Sequence, residues 1–209
     1  MSDLLEIWER PAAARIMIAG WQQWADAGDV SSGLPEYLID HTDARHIGRF
    51  VPNGYYLFQI PTGHHLMRPI VKLKDGHVES MDEKGNDLFY AGDDEQGFVI
   101  FAGDEPQMNH ELYAEAFLDA VQDLGIERVI LVGGVYGAVP YDKDREISCA
   151  YSLPSLKAEL EDYAVRFSNY EGGSTIGTYI IHVAEQRGIE AIGFNAMVPS
   201  YDFTHEEIS

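Results

Sequence analysis

Two rhythms of apolar and polar residues divide this chain. The stretch ARIMIAG (14–20) is nearly continuous in apolar residues and ends in glycine, which predicts a strand buried on both faces. DVSSGLPEYLIDHT predicts a helix that begins between Asp29 and Ser32, either of which can cap it by accepting a bond from a free backbone N–H. Pro35 fits the first turn if Ser32 is the cap, and should kink a helix that starts at Asp29. ARHIGRFV and YYLFQI predict two further strands separated by the turn PNG. MRPIVKLKDGHVES alternates polar and apolar around Asp75-Gly76 and predicts a hairpin. The acidic, glycine-punctuated MDEKGNDLFYAGDDEQ is expected to form an exposed loop around an apolar patch at Leu88–Tyr90.

From residue 97 strands and helices alternate. GFVIFAG, ERVILVGG, EISCAYS and IEAIGFNAMVP predict strands. EPQMNHELYAEAFLDAVQDLG predicts a helix with the apolar stripe Tyr113, Phe117, Val121, Leu124, ended by Gly125 in the position after the cap. SLKAELEDYAVRF and STIGTYIIHVAEQRG predict two more helices. The alternation implies an α/β fold: a mostly parallel sheet with helices on both faces, to which the early hairpin adds antiparallel strands at an edge. No repeat, low-complexity tract or linker interrupts it, so one domain over 1–209 is expected.

Composition narrows the partners. With 45% hydrophobic and 23% charged residues, 209 residues suffice for one domain with a sizeable core. The net charge of −21 disfavours nucleic acid and anionic membrane surfaces and suits a basic or neutral partner. A lone Cys149 excludes an internal disulfide framework. The start lacks the basic and apolar regions of a signal peptide, and no apolar stretch approaches the ~20 residues that cross a bilayer. A cytoplasmic protein is expected.

Candidate chemistry is sparse. In GWQQWADAGDV (20–30) a glycine at a strand's carboxyl end opens a loop on the side where open α/β sheets place their ligand crevice. Trp21 and Trp24 there either fill gaps over the sheet or form a gripping surface. Gly133 and Gly134 follow a strand and could turn N–H groups toward an anion, or simply make a tight turn; no P-loop lysine follows. Gly172, Gly173, Ser174 and Thr175 lead into a helix and are either an anion site at its N-terminus or a plain cap, with Glu171 opposing a phosphate. The histidines at 41, 46, 64, 65, 77, 110, 182 and 205 lack metal-site spacing, and Ala114 stands where H-E-x-x-H needs its second histidine. Cys149 reads as an inert buried thiol. Asp93, Asp94 and Glu95 could hold a divalent cation but read as solvated loop charge. G-x-S-x-G is missing. No catalytic residue, cofactor or metal site is expected.

Four stretches in order then carry a resemblance: GWQQWADAGD, FAGDEP, YEGGSTIGTYIIHVAEQRGIEAIGF and VPSY, spanning residues 15–201. Together they resemble the PAC2 family, the proteasome assembly chaperone 2-like proteins. The resemblance implies a three-layer α/β/α fold related to nucleoside phosphorylases and a homo-oligomer, with a trimer as one arrangement. It also implies chaperone heterodimers among relatives that help assemble proteasome α-rings. Trp21, Trp24 and Asp26 are then expected at a subunit or partner interface. The chain departs from the family at three places. Gln22, Gln23 and Trp24 lengthen the first turn, Ser200 stands where a histidine is common, and HEEIS ends without a hydrophobic-Tyr-X tail or the helical extension of many bacterial members.

The expected function is a non-enzymatic protein that self-associates and chaperones assembly of a proteasome-like or other complex. The alternative is a binder of, or enzyme for, a nucleoside, nucleotide or phosphate, using the strand-end crevice near Gly20, Gly133 and Gly172. An acidic scaffold with unrelated partners is the third reading.

Overall fold

The sheet is built outward from its central strand. The computed structural model describes residues 5–51, 54–58, 68–140 and 142–200. In chain order the elements are β1 (Leu5–Ile7), β2 (Ala14–Gln22), α1 (Val30–His41), β3 (Arg45–Phe50), β4 (Ile70–Lys74), β5 (His77–Asp82), β6 (Asn86–Gly92) and β7 (Gly97–Asp104). They continue with α2 (His110–Asp123), β8 (Arg128–Gly137), β9 (Ile147–Tyr151), α3 (Lys157–Leu160), β10 (Arg166–Phe167), α4 (Ile176–Arg187) and β11 (Glu190–Pro199). Among the described residues, nine strands make one sheet in the order β1-β3-β6-β7-β2-β8-β11-β9-β10. Its centre, β7-β2-β8-β11, is parallel, and antiparallel strands flank it on both sides. Among the described residues both edges are short: β1 has three residues and β10 two.

Alternation along β2 sorts the layers. Met17, Ala19 and Trp21 point to a large core shared with α2 and α4, where Phe101 and Phe117 lie 5.2 and 5.5 Å from the Trp21 ring and Phe50 packs on both at 5.4 and 6.2 Å. Gly20 points the other way, against α1. A Cβ there would strike the Ser31 carbonyl oxygen and the Pro35 ring, so glycine lets the helix lie directly on the strand. A second, smaller core on that face joins Ile192 to Leu156 and Leu160 beside α3. The result is a three-layer α/β/α arrangement.

Two buried polar devices hold the layers in register. The Ser31 hydroxyl accepts from the Trp21 N–H (2.9 Å) and donates to the Val132 carbonyl (2.7 Å), joining α1, β2 and β8. On the opposite face the Trp21 indole N–H donates to the Tyr113 hydroxyl (2.7 Å), the Asn86 side-chain amide bridges the Tyr113 and Tyr56 hydroxyls at 2.6 Å each, and the Tyr56 hydroxyl donates to the Asp104 carbonyl (2.7 Å). Burial raises the hydroxyl pKa of both Tyr56 and Tyr113, so each remains a neutral donor.

Several local expectations are corrected. Residues 86–92 are not an exposed loop: they form β6 in the main sheet, with Leu88 and Tyr90 fully buried. The β4–β5 hairpin turns at Asp75-Gly76 as expected, with φ 49° and 81°, but it is a separate two-stranded sheet and not an edge of the large one. In YYLFQI, residues 55–58 are not strand, and Gln59 and Ile60 lie outside the described residues, as do Pro52 and Asn53 of the PNG turn. The helix expected over 155–167 shrinks to a 3-10 turn at Pro154–Leu156 and the four residues of α3, because β10 pairs with β9 and places Phe167 against the Tyr151 ring. The helix expected from Glu105 starts at His110. Pro35 lies inside α1, and neither Asp29 nor Ser32 caps the helix with its side chain. That role falls to Asp26, whose carboxylate accepts from the Ser32 N–H (2.9 Å) and hydroxyl (2.7 Å).

Ser31→Ala would strand a buried donor and a buried acceptor, and is expected to destabilise the fold by about 1–3 kcal/mol in urea unfolding. Gly20→Ala forces a helix off a strand and is expected to lower the midpoint further.

Candidate functional site at the carboxyl end of the central strands

The β2 and β8 ladders run together to Ala19↔Leu131, whereas β2 stays with β7 to Gln22↔Asp104. The strands therefore part at Gly20 and open a crevice lined by Trp21, Ser31, Glu105, Gly133, Thr175 and Asn195, among others. Its volume is about 40 Å³. At ~10–15 Å³ for each water, it holds a few waters and is far smaller than a nucleoside pocket.

The chain itself occupies the polar groups of that crevice. Glu105, just past β7, accepts from the Ile176 N–H at the start of α4 (3.0 Å) with one oxygen and from the Trp24 N–H (3.1 Å) with the other. Burial raises the pKa of this carboxyl, and the two backbone donors partly offset the rise. Thr175 caps α4 by accepting from the Thr178 N–H (3.0 Å). The place where the sequence suggests an anion thus already contains a carboxylate. Ser174 donates to the Thr175 carbonyl, and Gly172 and Gly173 lie in the exposed loop beside Tyr170, whose hydroxyl donates to the Gly173 carbonyl.

Gly133 and Gly134 are neither a turn nor an anion nest, because β8 continues through them to Gly137. The Gly134 N–H donates to the Ala25 carbonyl (2.7 Å), and a Cβ on Gly134 would collide with the Ala27 carbonyl and approach Val30 Cβ to 3.0 Å. These glycines let the 25–27 segment lie across β8. Beside α1 a second cleft of about 210 Å³ is lined by Glu36, Glu83, Asp87 and Asp104. Lys84 pairs with Asp104 (2.6 Å) and His46 with Asp87 (2.9 Å), and the remaining charge repels anions.

The two tryptophans separate. Trp21 is 5% exposed and belongs to the core, so its ring is not presented to a partner. Trp24 is 73% exposed, on a loop whose preceding residue, Gln23, has φ 120°. Tyr136 at the end of β8 is 68% exposed, and Tyr170, in the loop before α4, is 73% exposed. Asp26 is used as the α1 cap. The sequence reading missed Glu105, Tyr136 and Tyr170.

The remaining candidates are dispersed. His41 stacks on Tyr37, His46 on Phe89, His110 meets Tyr179 edge-on, and His182 bonds Gln186. His77 lies in the hairpin, and His64, His65 and His205 lie outside the described residues. Asp93 accepts the Glu95 and Gln96 N–H groups in the β6–β7 turn. Cys149 is buried, which raises its thiol pKa. Among the described residues no three His, Cys, Asp or Glu side chains converge on a metal site, and no helix is long and apolar enough to cross a membrane.

The PAC2 family model matches residues 20–205. The chain belongs to the PAC2 family. No curated protein matches it in sequence. Among solved structures it is similar to a PAC2 family protein from Streptomyces avermitilis, 24% identical with a TM-score of 0.77 over 88% of this chain and 76% of that one. It is also similar to the Mycobacterium tuberculosis proteasome-assembly chaperone homologue, 22% identical with a TM-score of 0.78 over 90% and 76% of the two chains. Pyrococcus furiosus PbaB, an archaeal proteasome activator, is 22% identical with a TM-score of 0.67 over 95% and 80%. At these identities the structures share the PAC2 fold. In this member, Glu105 is the residue that ties the first turn to α4.

Glu105→Gln leaves one of two backbone donors without its acceptor, so faster amide exchange is expected at Trp24 or Ile176. Its raised pKa also means that the native state binds a proton before the unfolded chain does as pH falls. Stability of the native protein relative to Glu105→Gln is therefore expected to rise as pH falls from above the raised pKa to the ordinary carboxylate value of 4.5, measured by urea unfolding across that range.

Proposed function

We propose that this PAC2 protein is non-enzymatic, self-associates, and chaperones the assembly of a larger complex by docking through the exposed rings at the carboxyl end of its sheet. One observation carries the reading: the crevice is packed and internally bonded, while Trp24, Tyr136 and Tyr170 stand outside it. Large exposed aromatic side chains are among those that dominate protein–protein contacts. Similarity to a proteasome-assembly chaperone homologue and to an archaeal proteasome activator supports proteasome-type subunits as the partner class. The reading as a nucleoside, nucleotide or phosphate site gains no support from a cavity of about 40 Å³ whose helix terminus already faces Glu105.

Sedimentation velocity over a range of concentrations tests the proposal. The native protein is expected to form a defined oligomer, and Trp24→Ala to weaken it at least about tenfold without changing the unfolding midpoint. A monomer at every concentration would reject self-association. Co-elution with recombinant proteasome α-type subunits tests the chaperone role.

A further inference from the structure

The segment that carries Trp24 lies across the sheet as a strap and has unusual backbone at both ends. At its start Gln23 has φ 120°, and at its far end Gly28 and Asp29 have φ 64° and 54°. Glycine adopts such values freely and aspartate tolerates the last, but glutamine at 120° is strained and persists only where its surroundings impose it. Glu105 imposes it from both sides. Its backbone N–H donates to the Gln22 carbonyl (3.1 Å), and its carboxylate accepts from the Trp24 N–H (3.1 Å).

Beyond Trp24 the strap is fastened to β8 and α1. The Gly134 N–H donates to the Ala25 carbonyl (2.7 Å), Asp26 forms a backbone bridge with Gly134, and the Asp26 carboxylate caps α1. Ala25 is one wall of the crevice, so the strap helps to keep it small. The clamp carries a second strain. Among the described residues no other titratable side chain lines the crevice, so the two backbone donors alone oppose the burial of the Glu105 charge, and its pKa rises. Lifting the strap would return Gln23 to ordinary backbone and admit water to the carboxylate. One movement relieves both.

We infer that residues 23–27 are a spring-loaded strap, which Glu105 holds down against the strain at Gln23 and which lifts as a unit to deliver Trp24 to a docking partner. Gly28 and Asp29 are its pivot, being the element-end positions that absorb a backbone change. When the competent state is only partly populated, apparent affinity falls by that fraction. The two residues at the start of the strap therefore act on docking in opposite directions. Relieving the strain at Gln23 deepens the closed state, and weakening the clamp at Glu105 raises the population of the open one.

The delivery of Trp24 rests on the docking role proposed above, and the test separates it from the strap itself. Amide hydrogen exchange reads the strap. Glu105→Gln is expected to speed exchange at least about tenfold at Gly134 as well as at its own donors, although the Gly134 N–H bonds Ala25 and not Glu105. Gln23→Gly, which accepts φ 120° without strain, is expected to slow exchange at Trp24 and Gly134 at least about threefold and to raise the urea midpoint. It keeps the test valid if Glu105→Gln folds poorly. Sedimentation velocity reads the output: Glu105→Gln is expected to tighten the oligomer and Gln23→Gly to weaken it, each at least about threefold. Faster exchange confined to Trp24 and Ile176 in Glu105→Gln, or a lowered midpoint in Gln23→Gly, overturns the strap. An oligomer that Glu105→Gln weakens, or that neither variant moves, overturns the delivery of Trp24 while the strap stands. A monomeric native protein rejects the docking reading, and exchange alone then decides the strap.

Discussion

The carboxyl end of this sheet depends on one hydroxyl. Where β2 leaves β8, two backbone groups lose their ladder partners inside the protein, and the Ser31 side chain satisfies both at once. An orphaned buried group costs about 1–3 kcal/mol, so the fork is stable only while α1 is pressed close enough for Ser31 to reach. Gly20 permits that approach, and Asp26 fixes the start of the helix that delivers the serine. The segment after β2 then settles over β8 at Gly134, and Glu105 anchors its Trp24 end to α4. Removing the hydroxyl would loosen every later step of that path.

Much of this architecture was legible from burial periodicity. The continuous apolar runs of β2, β7, β8 and β11 and the stripe Tyr113–Phe117–Val121–Leu124 carry their environment in their own order. β6 was hidden because Leu88 and Tyr90 alternate within a stretch punctuated by Asn, Asp and Gly, which are poor strand formers. Residues 155–167 have a helical pattern that pairing with β9 overrides at Arg166–Phe167. The site was harder to read than the fold. The two partners of Glu105 lie 81 and 71 positions away, so no local motif marks it. The Gly-rich stretches point to anions only while their neighbours are unknown, since an intramolecular carbonyl and a carboxylate already use the donors.

Charge and packing agree at this end of the molecule. A net charge of −21 and a cleft lined by Glu36, Glu83, Asp87 and Asp104 give a field hostile to phosphates. Beneath the rim, the Trp21–Tyr113–Asn86–Tyr56 relay connects β2, α2, β6 and the 55–58 segment through fully used hydrogen bonds. Such a network favours one arrangement of the core over near alternatives.

The shortness of β1 and β10 also limits how such molecules can add to one another. A terminal strand of two or three residues exposes too few peptide groups to template another chain, and at β1 the Arg45–Glu9 and Arg49–Glu6 ion pairs fence it further. Over the described residues these edges disfavour lateral growth into ribbons, and assemblies that meet elsewhere on the surface are free to close at a finite number of subunits.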